Sequence, residues 1–250
     1  MVEIILKKQE INSGNLILVN AAHPIASEGN RVLVPVDKNN SNILMERCAA
    51  SALAHIFYDM NNVKTIVPVS GYRSRDEQKQ IYADTLRESG RAFTEKYVAF
   101  PGCSEHETGY AIDLGLKKDV IDFIRPDFPY DGICGAFRKK APQYGFIERY
   151  QRGKETITGI AHEPWHFRFI GYPHSKVIHD EKISLEEYIE AMKGYRYEDK
   201  PLKIVTGNRV IEIFYVSAMA SEKLEIRVPK DCPFQVSGNN VDGFIITLWR

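Results

Sequence analysis

An imidazole and a carboxylate stand seven residues apart in the stretch Ser104-Glu105-His106-Glu107-Thr108-Gly109-Tyr110-Ala111-Ile112-Asp113. A second imidazole follows about fifty residues later in Glu163-Pro164-Trp165-His166. His106 at a loop end and Asp113 inside a short strand can supply two corners of a tetrahedron, and His166 a third. Three protein donors with one open position is the arrangement of a catalytic zinc site, where the metal brings water to a pKa of about 7. Glu163, three residues before His166, is the candidate general base, because that spacing can bring its carboxylate beside the water without making it a ligand.

His162-Glu163-Pro164-Trp165-His166 also satisfies HExxH, the helical signature in which both histidines bind zinc. That motif requires both rings one turn apart on a helix. Pro164 would clash with the preceding turn and biases Glu163 toward extended geometry. The aromatic run Trp165-His166-Phe167-Arg168-Phe169-Ile170 reads as a strand. His166 is therefore taken as a ligand and His162 is not.

The elements that must position these groups are legible in outline. Asn42 to Met60 carries Ile43, Leu44, Cys48, Leu53, Ile56 and Phe57 at helical spacing, which predicts the main core helix, with His55 packed on it. Thr65 to Val69 reads as a strand, and Ser74-Arg75-Asp76-Glu77 as a capping box opening a helix to about Ser89, stopped by Gly90. Arg73 sits at the turn between them. Residues 91–109 read as a long loop leading into the strand Tyr110 to Leu114. A helix from Gly135 to about Pro142, strands at Gly145 to Arg149 and His166 to Ile170, and a helix opened by Ser184-Leu185-Glu186-Glu187 follow. Strands and helices without a βαβ rhythm predict an α+β domain over residues 1–197. From residue 198 to 250, short β-branched runs punctuated by Gly, Asn and Pro predict a small all-β appendage, with a packing or homodimer role as its simplest use.

Composition narrows the class. The chain of 250 residues has 33 basic and 33 acidic side chains, 44% hydrophobic and 26% charged, so it offers no electrostatic case for nucleic acid or an anionic membrane. The first residues lack the pattern of a secretory signal, and no apolar run of about 18 residues predicts a membrane segment. A cytoplasmic location is the expectation. Cys48, Cys103, Cys134 and Cys232 are widely spaced and read as reduced, mostly buried thiols.

The motifs SxHxxGxAxD, as Ser104 to Asp113, and ExxH, as Glu163 to His166, resemble the D-alanyl-D-alanine metallopeptidases of the VanX/VanY group. The similarity is greatest to the bifunctional VanXY dipeptidase/carboxypeptidases. It extends over roughly residues 15–195 and includes Leu18-Val19-Asn20, Ser70-Gly71-Tyr72-Arg73-Ser74, Val98-Ala99-Phe100-Pro101-Gly102 and Pro173-His174-Ser175. The resemblance implies an antiparallel central sheet with flanking helices, one zinc per chain, and cleavage of D-Ala-D-Ala or of small D-Ala-ended peptides and peptidoglycan precursors. In a cytoplasm that activity would confer vancomycin resistance.

The resemblance also gives roles to Arg73 and Ser104, and position in the sequence gives them to further residues. Arg73 matches the arginine that stabilises the transition state. Ser104 matches a serine near the substrate, Gln78 on the first turns of the following helix is placed to assist it, and Trp165 can wall a methyl-sized pocket. Independently of the resemblance, His174 is a candidate to donate a hydrogen bond to a metal-binding side chain from behind. Glu105 and Glu107, flanking His106 in an extended segment, are expected to point away into solvent. Two rivals remain open at this point: an endolysin-like L-alanyl-D-glutamate peptidase, and a hedgehog-like zinc domain that binds without catalysing.

Overall fold

The computed structural model of the chain describes every residue except 27–30, 38, 39, 62 and 198. Its strands are β1 (Val2–Lys7), β2 (Leu33–Asp37), β3 (Asn40–Glu46), β4 (Ile66–Ser70), β5 (Ala111–Leu116), β6 (Phe146–Tyr150), β7 (Glu163–Phe169), β8 (Leu202–Thr206), β9 (Arg209–Ser217), β10 (Lys223–Val228), β11 (Phe234–Gly238) and β12 (Gly243–Trp249). Its α-helices are α1 (Arg47–Asp59), α2 (Arg75–Ser89), α3 (Arg91–Tyr97), α4 (Gly132–Lys140), α5 (Glu155–Thr158), α6 (His174–Glu181) and α7 (Leu185–Met192). Two compact units separate, Val19–Ser184 and Met1–Leu18 with Leu185–Arg250.

The first unit is built on an antiparallel sheet in the order β4-β5-β7-β6. Alternation along β5 explains its central place. Ile112 and Leu114 join a buried cluster with Met45, Leu53 and Ile56 from the β3–α1 region, Cys134 and Phe137 from α4, Phe167 from the neighbouring β7 and Phe146 from β6 beyond it. The intervening Ala111 and Asp113 then face the opposite side of the sheet. α2 begins as its capping box predicts: Ser74 Oγ accepts from the Glu77 amide, and the Glu77 carboxylate accepts from the Ser74 amide at 2.7 Å. Gly90, at φ 79°, ends it in a conformation that disfavours other residues.

Three expectations are corrected here. Asn42 to Met60 is not one helix: residues up to Glu46 pair with β2, and the helix starts at Arg47, where Glu46 accepts from the Cys48 amide at 2.8 Å. Ile43 and Leu44 fit either period, and ladder pairing decides between them. The 91–109 loop contains α3 and a 3-10 turn at Glu105–Thr108. His55 lies on the solvent side of α1, exposed. Of the four free thiols, Cys134 and Cys232 are buried, Cys103 is half-buried and Cys48 is exposed.

The second unit holds the sheet β11-β12-β9-β8 and a ribbon of β1 with β10, with Leu6, Phe214, Ile226, Phe244 and Ile246 in its core. A division at 197/198, as the sequence pattern predicts, keeps the N-terminal strand and α7 with the first domain. Pairing of Val2–Lys7 with Lys223–Val228 instead groups that strand with the β-rich unit. No helix among the described residues is long and apolar enough to cross a membrane.

Candidate active site

Asp113 and His166 are direct cross-strand partners on β5 and β7, so the sheet itself brings them together. His166 Nδ1 lies 2.9 Å from Asp113 Oδ1. His106 enters from the 3-10 turn, with its Nε2 at 3.1 Å from Asp113 Oδ2. One donor atom from each of the three falls within 4.8 Å of the others, and all three residues are buried. The outer imidazole nitrogens fix the tautomers. His106 Nδ1 faces the Gly71 carbonyl at 2.7 Å, an acceptor only, so it carries the proton and leaves Nε2 with its lone pair toward the cluster. His166 Nε2 faces the Glu105 carboxylate at 3.3 Å, which leaves Nδ1 for the inner position. Two inward imidazole lone pairs beside a carboxylate, each ring held from behind by an acceptor, is a donor set that fits zinc.

Gly71 is constrained by this arrangement. A Cβ there would meet the Leu44 carbonyl oxygen at 2.3 Å. Gly71→Ala is expected to push the backbone carbonyl behind His106 out of place and to destabilise the fold by about 1–3 kcal/mol. The urea midpoint checks this, and a midpoint equal to wild type would refute the constraint.

Glu163 opens β7. In a plain strand residues three apart face opposite sides, yet its Oε2 comes within 3.9 Å of His166 Nδ1. The β6–β7 register explains how: Tyr150 pairs with Glu163 but Glu148 with Phe167, so β7 carries two extra residues in that interval. Pro164 lies in the interval, where its missing amide has no ladder bond to lose, and its carbonyl accepts from both terminal nitrogens of Arg138 at 3.1 and 3.2 Å. The proline that argues against a zincin helix thus also sits in the irregularity that accompanies Glu163's placement. Burial pushes the Glu163 carboxyl up to about 8; His166 opposes this and Asp113 adds to it. Asp113 behaves oppositely: burial would raise it, but His106 and His166 hold it well below the usual carboxylate range. His162 lies outside the cluster, its Nε2 at 2.6 Å from the Tyr130 hydroxyl.

Arg73, Gln78, Ser104, Glu163 and Trp165 line one cavity with the three donors, together with Tyr97, Val98, Ala99, Phe123 and Tyr150. At about 40 Å³ it suits a small group. The Arg73 guanidinium donates to Ser70 Oγ at 2.9 Å, Gln78 Oε1 at 3.4 Å and Asp113 Oδ2 at 3.1 Å. Gln78 is itself anchored by donating to the Ala99 carbonyl at 2.8 Å. Trp165 belongs both to the apolar cluster beneath the sheet and to the cavity wall. His174, buried at the start of α6 and kept neutral by that burial, with a pKa of about 3, is not among the cavity's lining residues.

Glu105 and Glu107 overturn the expectation that they are solvated. Both are buried, because the segment is a tight turn and not an extended strand. Glu105 Oε1 accepts from Arg149 Nε and Arg168 Nη1, each at 2.8 Å, while its second oxygen faces His166. Burial disfavours this charge, but the two guanidiniums outweigh it and hold the carboxyl well below its usual range. Glu107 accepts from the Gly102 amide at 2.7 Å and from Arg75 at 3.2 Å. A signal for Glu105 did exist in the sequence: Arg168, two residues after His166 on the same strand, must share its face.

Fold and site define a peptidase, and the chain belongs to the D-alanyl-D-alanine carboxypeptidase (VanY) family, whose profile matches residues 42–172. It is 40% identical over 177 residues to the bifunctional D-Ala-D-Ala dipeptidase and D-Ala-D-Ala carboxypeptidase VanXYC of Enterococcus gallinarum, a match spanning 69% of this chain and 92% of that one. A D-alanyl-D-alanine carboxypeptidase of Enterococcus faecium is 30% identical over 98% of this chain and 78% of its own length. Among solved structures, the vancomycin-resistance D,D-dipeptidase VanXYg, bound to a D-Ala-D-Ala phosphinate analogue, superposes with a TM-score of 0.97 at 52% identity, covering 100% of this chain and 99% of that one. The D,D-pentapeptidase VanY from a VanB-type cassette, solved with Zn(II), gives 0.57 at 27% identity over 70% of this chain and 98% of its own. The LD-carboxypeptidase LdcB gives 0.58 at 33% identity over 69% and 84%.

Proposed function

We propose that this peptidase hydrolyses D-Ala-D-Ala and removes the terminal D-Ala of peptidoglycan precursors, using one zinc ion held by His106 Nε2, an Asp113 carboxylate oxygen and His166 Nδ1. The observation that carries the reading is the buried three-donor cluster with the Glu163 carboxylate beside it in one small cavity. Zinc, when bound, supplies Lewis acidity that acidifies water and polarises the scissile carbonyl. Glu163 takes the proton from the attacking water and returns it to the departing amine. The Arg73 guanidinium faces the negative charge that develops on the carbonyl oxygen. Ser104 and Gln78 hold the terminal carboxylate or backbone of the substrate, and Trp165 walls the space for a methyl side chain. Acting in the cytoplasm on the free dipeptide and the nucleotide-linked pentapeptide, such an enzyme depletes the target of vancomycin before export.

Timed hydrolysis of D-Ala-D-Ala, D-Ala-D-Ser and the pentapeptide precursor tests this, with zinc present and after its removal by a chelator. Turnover of the D-Ala-ended substrates should vanish on removal and return with zinc. Hydrolysis that survives removal would overturn the metal assignment. The likeness to LdcB favours one alternative, cleavage of an L,D bond, and a preference for L,D-linked tetrapeptide in the same assay would establish it.

Glu105 acts here as a positioning residue, fixing the His166 tautomer through Nε2. Glu105→Gln should weaken zinc binding by about 10–100-fold, read by competition with a chromophoric chelator. Wild-type affinity in that variant would remove the role.

A further inference from the structure

Beside the catalytic cavity, and sharing Tyr97 and Trp165 with it, lies a wider depression of about 640 Å³. Its rim carries Lys96, Arg125 and Arg152. All three are exposed, and among the described residues none of them is in an ion pair. Lys96 Nζ and Arg125 Cζ each lie 5.3 Å from the centroid of the same ring, Tyr97, so two positive charges flank one aromatic wall. Across the depression the Tyr130 ring stacks on His162 at 5.8 Å.

The nearby carboxylates are occupied elsewhere. Glu148 takes the Tyr130 hydroxyl, His162 and Arg138. Glu155, the single acid of the rim, is held first by the amides of its own helix start, Glu155 and Gly153, with His162 and Arg152 acting at longer range. Three cations therefore oppose one carboxylate in a chain whose formal net charge is zero.

The chemistry of the proposed reaction says which part of a substrate reaches this place. A D-Ala-ended substrate stops one residue past the scissile bond, so any chain that leaves the cavity lies on the acyl side. Two other compartments share walls with the cavity. One, past Val98, Ala99, Tyr150 and Ile160, is lined mainly by apolar groups with Glu95, itself paired with Arg91 at 2.7 Å, as its charged side chain. The other, past Arg73 and Phe123, carries Glu77 and the Arg73 already paired with Asp113, so among the described residues neither offers an anion a cation outside an ion pair. We propose that Lys96, Arg125 and Arg152 form an anion subsite that binds a carboxylate on the acyl side of longer D-Ala-ended peptides and selects them over uncharged equivalents. This rests on the peptidase reading above and deepens it.

The test uses full-length zinc-loaded protein and paired probes, succinyl-(Gly)n-D-Ala-D-Ala and its terminal carboxamide twin, with n from zero to three. In wild type, the carboxylate twin should be favoured in kcat/KM by about three- to fivefold at low ionic strength for at least one spacer. The ratio should approach one at 1 M salt, where screening acts over about 3 Å. In the combined variant Lys96→Gln, Arg125→Gln, Arg152→Gln the ratio should fall to one, while Lys96→Arg, Arg125→Lys, Arg152→Lys should retain it. Because each ratio is taken within one protein, a change in folded fraction cancels. Equal rates for both twins in wild type at every spacer, or a preference that survives the triple glutamine variant, overturns the subsite. If wild type cleaves no D-Ala-D-Ala-ended probe, the peptidase reading fails. Calorimetric binding of the same twins to Glu163→Ala protein then still decides the subsite, which stands only if the carboxylate twin binds more tightly.

Discussion

Glu163→Ala should lower kcat for D-Ala-D-Ala by about 10²–10⁴-fold while the chain keeps its zinc. The two halves of that expectation come from separate observations. Retention follows because the three donors converge without Glu163, and their outer contacts run to Gly71 and Glu105. Loss of turnover follows because Glu163 is a carboxylate on the inner, Nδ1 side of His166 that is not one of the donors, its Oε2 3.9 Å from that nitrogen, whereas Glu105 stands behind the ring at Nε2. Its environment suits a proton carrier. Burial lifts it to about 8 in the metal-free protein, and a divalent cation beside it would favour the ionised form that accepts a proton. Wild-type kcat/KM should therefore fall as pH drops through the pKa of the base, and this acid limb should be missing from the residual activity of Glu163→Ala. Glu163→Gln, which keeps the shape, should be equally impaired. Near-native rates in either variant would refute the base, and loss of zinc from Glu163→Ala would make the residue a ligand.

The legible parts of the site were those encoded in contiguous sequence. His106 and Asp113 fall in one short stretch, and the choice of His166 over His162 turned on Pro164, whose covalent ring restricts the backbone regardless of tertiary context. The α2 start was equally local, because Ser74 and Glu77 satisfy each other's amides. What escaped depends on partners far along the chain. The first residues of the Asn42 to Met60 stretch became β3 because β2 offered a ladder. The Val2–Lys7 strand finds its partner only at Lys223–Val228. Glu105 read as a solvated neighbour of a ligand, since nothing local shows that Arg149 and Arg168 arrive from two other strands to neutralise it. The strand period puts Arg168 on the face of His166, but which carboxylate meets it there, and the arrival of Arg149 from β6, are set by three-dimensional encounter.

Arg73→Ala should reduce kcat by about 10²–10³-fold, equivalent to roughly 2.7–4 kcal/mol of transition-state stabilisation, with KM little changed. The guanidinium is held in place before any substrate arrives: Nε is fixed by Ser70, Nη1 by Gln78 and Nη2 by Asp113. Such preorganisation is what makes a charge effective toward an oxyanion, because little reorganisation is left for the reaction itself. Three contacts in one plane match the fork of arginine and not the single ammonium of lysine, so Arg73→Lys should recover only a minor part of the loss. The split between kcat and KM discriminates the roles. If Arg73 instead held the terminal carboxylate equally in ground and transition states, its removal would raise KM and spare kcat. Zinc content provides the control, since Arg73 also touches Asp113, the proposed ligand. A variant that loses zinc together with turnover would place the arginine in support of the metal cluster, whereas a zinc-replete variant with low kcat and unchanged KM would place it at the developing negative charge.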